Sequence, residues 1–263
     1  MRWKNMGRYS KRRRRRGSSG FLYKLLSVLA ICGCLIAALT LFFRVDTVVV
    51  TGTQRYTQQE VIDATGIKAG DNLFLMNKYD VAQNIVGELP YIEEIRINRK
   101  LPDTLLIQVE ECGTPLALVQ DGSAWLISST GKIVDQKTAA EAADYGTIDG
   151  CELLAPSVGS SIALKTEYAT QQSSLLKLLA ALEDNSMMDD VDAIHLGDGS
   201  TLAMDYLDRF TVEMPYGAEN YGRLMQILVI AVSQLETNQT GTIRLNPDGE
   251  YQARFMPGQR WEG

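Results

Sequence analysis

Residues 89–111 read LPYIEEIRINRKLPDTLLIQVEE, and the side-chain parity of this stretch decides the fold. On its first arm Ile95 and Ile97 share one face, with Glu94, Arg96 and Asn98 on the other. On its second arm Leu105, Ile107 and Val109 alternate with Leu106, Gln108 and Glu110. Successive side chains of a strand point to opposite faces, so each arm is half buried and half wetted. The spacing predicts a β-hairpin with its loop at Arg99–Asp103, Ile97 opposite Leu105 and Ile95 opposite Ile107. The same stretch carries Glu93, Glu94, Glu110 and Glu111, and paired carboxylates are raw material for acid–base catalysis. Neighbours in an extended chain face opposite ways, so neither Glu93–Glu94 nor Glu110–Glu111 is a side-by-side dyad. The wetted face of a sheet accounts for them.

Upstream, Val45–Thr51 (VDTVVVT) is a β-branched strand that stops at Gly52. Thr57–Glu60 (TQQE) has the spacing of a capping box and opens a helix carrying Val61, Ile62 and Ala64. A second helix starts at Asn77, places Val81, Ile85 and Leu89 on one stripe, and ends before Pro90. The order is β-α-α-β-β, with two helices on the apolar face of the hairpin.

Further upstream, Leu25–Phe43 is nineteen residues without a charge, extended to Phe21 if Lys24 snorkels. As a helix this run is about 28 Å long, close to the roughly 30 Å hydrocarbon core of a bilayer. Eleven of the 26 basic residues lie before Val45, with no acid among them. That leaves 15 basic against all 32 acidic residues in the remainder, a net charge of −17. Basic residues on the N-terminal flank, above all Arg12, Arg13, Arg14, Arg15 and Arg16, put residues 1–20 in the cytoplasm by the positive-inside rule. The body would then lie outside, behind an uncleaved anchor at 21–43. An acidic body of this charge argues against a nucleic-acid partner.

Cys32 and Cys34 fall inside the apolar run; Cys112 and Cys151 are either a candidate pair or two small buried thiols. After Cys112 the pattern changes. Strands are predicted at Leu116–Gln120 and Ala124–Ser128, and a long helix at Tyr168–Asn185. A meander (VDAIHL, TLAMDYL, RFTVEMP) follows, then a helix at Glu219–Glu236. A final hairpin joins TIRLN to EYQARF through the turn NPDG, Asn246–Gly249. The fold class is α+β: a transmembrane helix, a β-α-α-β-β unit, then a second mixed β domain with two helices.

Catalytic motifs are thin. His195 is the single histidine, and a hydrogen-bonded or exposed strand histidine explains it better than a metal site or a triad. Ser174–Lys177 spells S-x-x-K, but its partner motifs are absent in the required order, and Ser174 sits inside a leucine-rich helix. No P-loop, G-x-G-x-x-G or C-x-x-C occurs. No catalytic, metal or cofactor residue is assigned.

A resemblance rests on several of these segments together. VDTVVVTG, TQQEVI, TGIKAGDNLF (Thr65–Phe74) and the 89–111 hairpin resemble the FtsQ/DivIB family of bacterial cell-division proteins. Within the hairpin, Pro90, Tyr91, Ile92, Arg99, Pro102, Leu105, Ile107, Val109 and Glu110 match the family's pattern. The likeness continues through Pro115, Ala117, GKIVD (Gly131–Asp135), LDRFTVEMP and GTIRLNPDGEYQARFMP. Glu111–Thr114 departs from the pattern at the junction that follows the hairpin.

The resemblance implies a POTRA domain at 44–112, a β domain at 113–257 and a short tail at 258–263. It implies a non-enzymatic divisome scaffold without cofactor, which binds FtsL-like and FtsB/DivIC-like bitopic proteins, with a septal peptidoglycan synthase as a candidate third partner. The location implied is the plasma membrane, as a single-pass type II protein enriched at the septum. Tyr251, Gln252, Ala253, Arg254 and Phe255 are the expected partner-binding edge. The rival reading is an anchored POTRA module for secretion or envelope assembly.

Overall fold

The computed structural model describes residues 19–197, 200–246 and 252–258. Its first element, α1 (Ser19–Phe42), is exposed on every side over its apolar span, Phe21–Phe42. Those 22 residues are long and apolar enough to cross a membrane.

Then come β1 (Thr47–Thr51), α2 (Gln58–Ala64), α3 (Lys78–Glu88), β2 (Ile92–Lys100) and β3 (Thr104–Glu111). The capping box forms as the TQQE spacing predicts: the Glu60 amide donates to Thr57 Oγ1 and the Thr57 amide to the Glu60 carboxylate. Asn77 caps α3 by accepting from the Tyr79 amide. Strand order is β1-β3-β2, with β1 parallel and β2 antiparallel to β3. Val61 and Ala64 of α2 and Val81 and Ile85 of α3 pack against Ile97, Leu105, Ile107 and Val109. At Gly52 the chain turns with φ +93°, and a Cβ there would overlap the Val109 carbonyl oxygen. Only glycine lets the end of β1 pass that close to β3.

The hairpin register differs from the predicted one. Ile97 lies opposite Ile107 and Ile95 opposite Val109, and only residues 101–103 form the loop, which includes a cis Leu101–Pro102 bond. The displacement is two residues. A shift of two keeps every side chain on its face, so parity predicted burial correctly and could not distinguish the two registers.

The second body is one nine-stranded sheet, ordered β12-β11-β10-β9-β8-β7-β4-β5-β6. Its strands are β4 (Leu116–Gln120), β5 (Ser123–Ile127), β6 (Ile133–Thr138), β7 (Thr147–Asp149), β8 (Val191–His195), β9 (Thr201–Tyr206), β10 (Phe210–Pro215), β11 (Gly241–Leu245) and β12 (Ala253–Pro257). Helices α4 (Ala169–Asp184) and α5 (Tyr221–Ser233) pack together against this sheet, with Leu175, Leu178, Leu224 and Leu228 buried among Val212, Met204 and Ile243. Sequence patterning missed β6 and β7. The first is apolar only at its start, and the second has three residues, too few for a period to register. The last strand runs on past its predicted end at Phe255: β12 occupies Ala253–Pro257, and residues 250 and 251 of the predicted strand lie outside the described residues.

A buried seam joins the two sheets. Tyr91 packs with Ala117, Ala124, Leu126 and Val134, and its hydroxyl donates to Asp135 at 3.1 Å. Thr130 donates to the Glu93 carboxylate at 3.0 Å, and Lys132 to the Ile92 carbonyl at 3.3 Å.

Candidate functional site: the open edge at β12

Because β12 ends the strand order, nothing among the described residues pairs with its outer side. Its inner side pairs antiparallel with β11: Ala253 opposite Leu245, Arg254 opposite Arg244, Phe255 opposite Ile243. The Asn246 amide donates to the Gln252 carbonyl, and the Gly258 amide to that of Thr240. In an antiparallel pair the bonded positions alternate, so residues 252, 254, 256 and 258 direct their backbone groups inward. Ala253 and Phe255 therefore present N–H and C=O groups outward, and Pro257 a carbonyl alone. Such a row is a template for a further strand.

The two faces of β12 differ in chemistry. On one face Glu213, Arg244 and Arg254 form a row across β10, β11 and β12. Arg244 pairs with Glu213 at 2.6 Å, and Glu213 is mostly shielded. Arg254 is exposed at the end of that row, and no carboxylate of the described residues lies within ion-pair distance of it. On the other face Ala253 and Phe255 border an apolar groove of about 420 Å³, lined by Ile227, Ile230, Ala231 and Leu235. Phe255 meets the buried Phe210 ring edge-on, with centroids 6.2 Å apart.

Of the five residues expected at this edge, Ala253, Arg254 and Phe255 lie in the strand and Gln252 just before it. Tyr251 and the orienting arginines Arg12–Arg16 lie outside the described residues. The contribution of α5 was not read from the sequence, although its signal was present. The run LMQILVIAVS is apolar on more than the buried stripe, and Val229 and Ile230 remain 46% and 58% exposed. An apolar surplus beyond one stripe marks a second contact face.

The residues considered for chemistry are otherwise engaged. Ser174 is fully buried, donating to the Thr170 carbonyl and accepting from the Gly217 amide, while Lys177 is exposed. The four hairpin glutamates separate. Glu94 and Glu110 lie opposite one another on the wetted face. Glu93 reaches across the seam, and Glu111 accepts from the backbone amides of Gln54, Arg55 and Tyr56. Assigning all four to a solvated face was therefore correct for two; the other two hold loops in place. Cys112 and Cys151 are free, partly buried thiols, both pushed up to about 12 by burial. Among the described residues no group of three or more His, Cys, Asp or Glu is placed to hold a metal ion.

His195 bridges three strands. Its Nδ1 lies 2.8 Å from the Asp149 carboxylate and its Nε2 3.2 Å from that of Asp205, which also accepts from Thr211. Burial would lower the imidazole's pKa, but the hydrogen bonds to Asp149 and then Asp205 outweigh it and raise the value above 6.5. A pKa raised by folding contributes stability that is complete below the unfolded value of about 6.5 and is lost as pH rises through the folded value. The urea midpoint should therefore fall as pH rises from about 6.5 through the folded value, and His195→Gln should flatten that slope. An unchanged slope in the variant would show that the imidazole does not carry it.

Fold and site together define a class: a POTRA-type unit behind a membrane-length helix, joined to a mixed sheet that ends in β12 on one side and β6 on the other. The family profile described as "POTRA domain, FtsQ-type" matches residues 43–111. The chain is 26% identical over 207 residues to a cell division protein FtsQ of Geotalea daltonii, covering 77% of this chain and 71% of that protein. It is 28% identical to a cell division protein DivIB of Clostridium botulinum, over 49% of this chain and 50% of the relative. A DivIB of Streptococcus gordonii is 33% identical over 46% of this chain and 32% of its own length. The match thus spans about half of the clostridial relative and a third of the streptococcal one. Residues 43–111 thus match an FtsQ-type POTRA domain, and the chain is similar to cell-division proteins named FtsQ and DivIB.

Proposed function

We propose that this chain is a non-enzymatic scaffold of the divisome. In this reading α1 anchors it in the plasma membrane with the Arg12–Arg16 arm in the cytoplasm and the POTRA (44–112) and β (113–257) domains outside. It captures FtsL-like and FtsB/DivIC-like bitopic proteins and, through them, helps control septal peptidoglycan synthesis.

One observation carries the reading. The outward backbone groups of Ala253 and Phe255 lie beside an apolar groove and an arginine without a described acidic partner. Backbone pairing supplies affinity, the groove accepts an apolar anchor, and Arg254 selects an acidic residue. The names of the relatives support the setting in cell division.

The test is depletion combined with pull-down. Cells depleted of the protein should form filaments without septa, and the full chain in detergent should co-purify with FtsL- and FtsB/DivIC-like proteins of the same organism. Normal septation after depletion, together with an export defect, would move the protein to secretion or envelope assembly.

A further inference from the structure

A second exposed apolar patch lies where the POTRA domain meets α1. Phe74, Leu75 and Tyr79 are 47%, 79% and 65% exposed. Clustered exposed apolar side chains on a folded domain mark a contact surface. What distinguishes this patch is its attachment to the helix end.

The last turn of a helix leaves backbone carbonyls without partners, a costly state where water is scarce. Here the side chain of Asn72, some thirty residues along the chain, reaches back to supply one. Its Nδ2 donates to the Leu39 carbonyl at 3.0 Å, and its backbone bridges to Arg44. The other end of the same amide, Oδ1, accepts from the backbone amides of Phe74 and Leu75 at 2.9 and 3.2 Å. The Leu73 amide donates to the Phe43 carbonyl, and the Phe74 ring stands edge-on to Phe43 with centroids 4.9 Å apart. One asparagine thus caps the helix and sets the turn that presents the patch.

Depth follows from length. The apolar span of α1, Phe21–Phe42, is about 33 Å long, so its final turn reaches the edge of a hydrocarbon core of roughly 30 Å. Leu75 lies three residues from Asn72, at most about 10 Å of extended chain. The headgroup layer of one leaflet is about 6 Å deep. Phe74 packs edge-on against Phe43 and the Leu75 amide bonds the same Asn72 side chain that caps Leu39, which ties both to the final turn of α1, at the lipid interface where aromatic and amphipathic side chains settle. Arg44, at the same level, carries the charge that suits anionic headgroups.

We propose that residues 72–79 form an interfacial membrane dock. Phe74 and Leu75 insert among the lipids of the leaflet into which the C-terminal turn of α1 opens, and Tyr79 rests at the headgroups. The POTRA domain is then held against the bilayer by two points, the helix and the patch, rather than swinging from α1. This inference rests on α1 spanning the membrane and is indifferent to which side the body occupies.

The test places single tryptophans in the full chain, reconstituted in nanodiscs of phosphatidylcholine and phosphatidylglycerol with or without bromine on the upper acyl chain. Emission is read above the wild-type background. Leu75→Trp should emit to the blue, lose most of its added emission in brominated lipid and be shielded from aqueous iodide. Leu35→Trp, within α1, reports insertion of the helix independently and should be quenched by bromine. If Leu35→Trp is quenched while Leu75→Trp stays open to iodide and untouched by bromine, the dock is wrong and the anchor stands. A Leu75→Trp signal shielded from iodide yet unquenched by bromine means that protein, such as a second copy, covers the patch, and this also overturns the dock. If Leu35→Trp itself is unquenched, α1 is not in the bilayer, and the dock falls together with the anchor.

Discussion

Ala253→Pro is expected to weaken capture of the proposed FtsB/DivIC-like partner about a hundredfold, while urea unfolding changes by less than about 1 kcal/mol. The asymmetry comes from the alternation along β12. The Ala253 amide points outward, so proline removes no bond to β11, and edge strands tolerate proline where its missing N–H faces solvent. The incoming strand, by contrast, loses a hydrogen bond of about 1 kcal/mol and meets the pyrrolidine ring where its carbonyl would approach. Together these come to about 3 kcal/mol, or roughly two factors of ten in Kd. Arg254→Pro is the matched control. Its amide lies on the inner side, so the substitution should release β12 from β11 and lower both binding and stability. Titration of full-length variants with the partner's exported segment, alongside urea curves, separates the two. Equal binding by wild type and Ala253→Pro, with the fold intact, would exclude strand addition at this edge.

Phe210→Ala is expected to cost about 3–5 kcal/mol of stability, a large part of the 5–15 kcal/mol typical of a folded domain. Phe210 heads the group of largest fully buried side chains. Its ring abuts Phe255 of β12, the Arg209 guanidinium lies 4.7 Å from its centroid, and its strand β10 pairs with both β9 and β11. Removal leaves a cavity under the edge rather than at the periphery. Capture should therefore weaken too, but in step with unfolding, unlike the effect of Ala253→Pro. Leu154→Ala, at a side chain more than half exposed, should stay within about 0.5 kcal/mol of wild type. If urea midpoints for Phe210→Ala and Leu154→Ala coincide, Phe210 does not support the sheet.

Much of the fold was legible because it is written in short-range periods. Ile95, Ile97, Leu105, Ile107 and Val109 declared a buried face by alternation. Thr57 with Glu60, and Asn77, marked helix starts through bonds that span two or three residues. The membrane-length helix was legible in the same way, since length and apolarity are properties of a contiguous run. The site was only half legible. The final strand, expected over 250–255, is described at Ala253–Pro257, and the turn proposed at Asn246–Gly249 falls, beyond Asn246, outside the described residues. Both charged networks of the hairpin were invisible too, since Glu111 serves amides more than fifty residues away.

The sequence by itself determined which faces are buried, where helices begin, and that an acidic body follows a basic arm and an apolar span. Only the tertiary structure decided that the sheet ends in β12 on one side and β6 on the other, that Ala253 and Phe255 turn their backbone groups outward, and that α5 supplies the wall of the groove. It also decided that Asn72 closes the end of α1. The physical reason is one of range. Periodicity is a local property of the chain, whereas register and edge position arise from pairings between distant segments, and a shift of two residues leaves the local pattern unchanged.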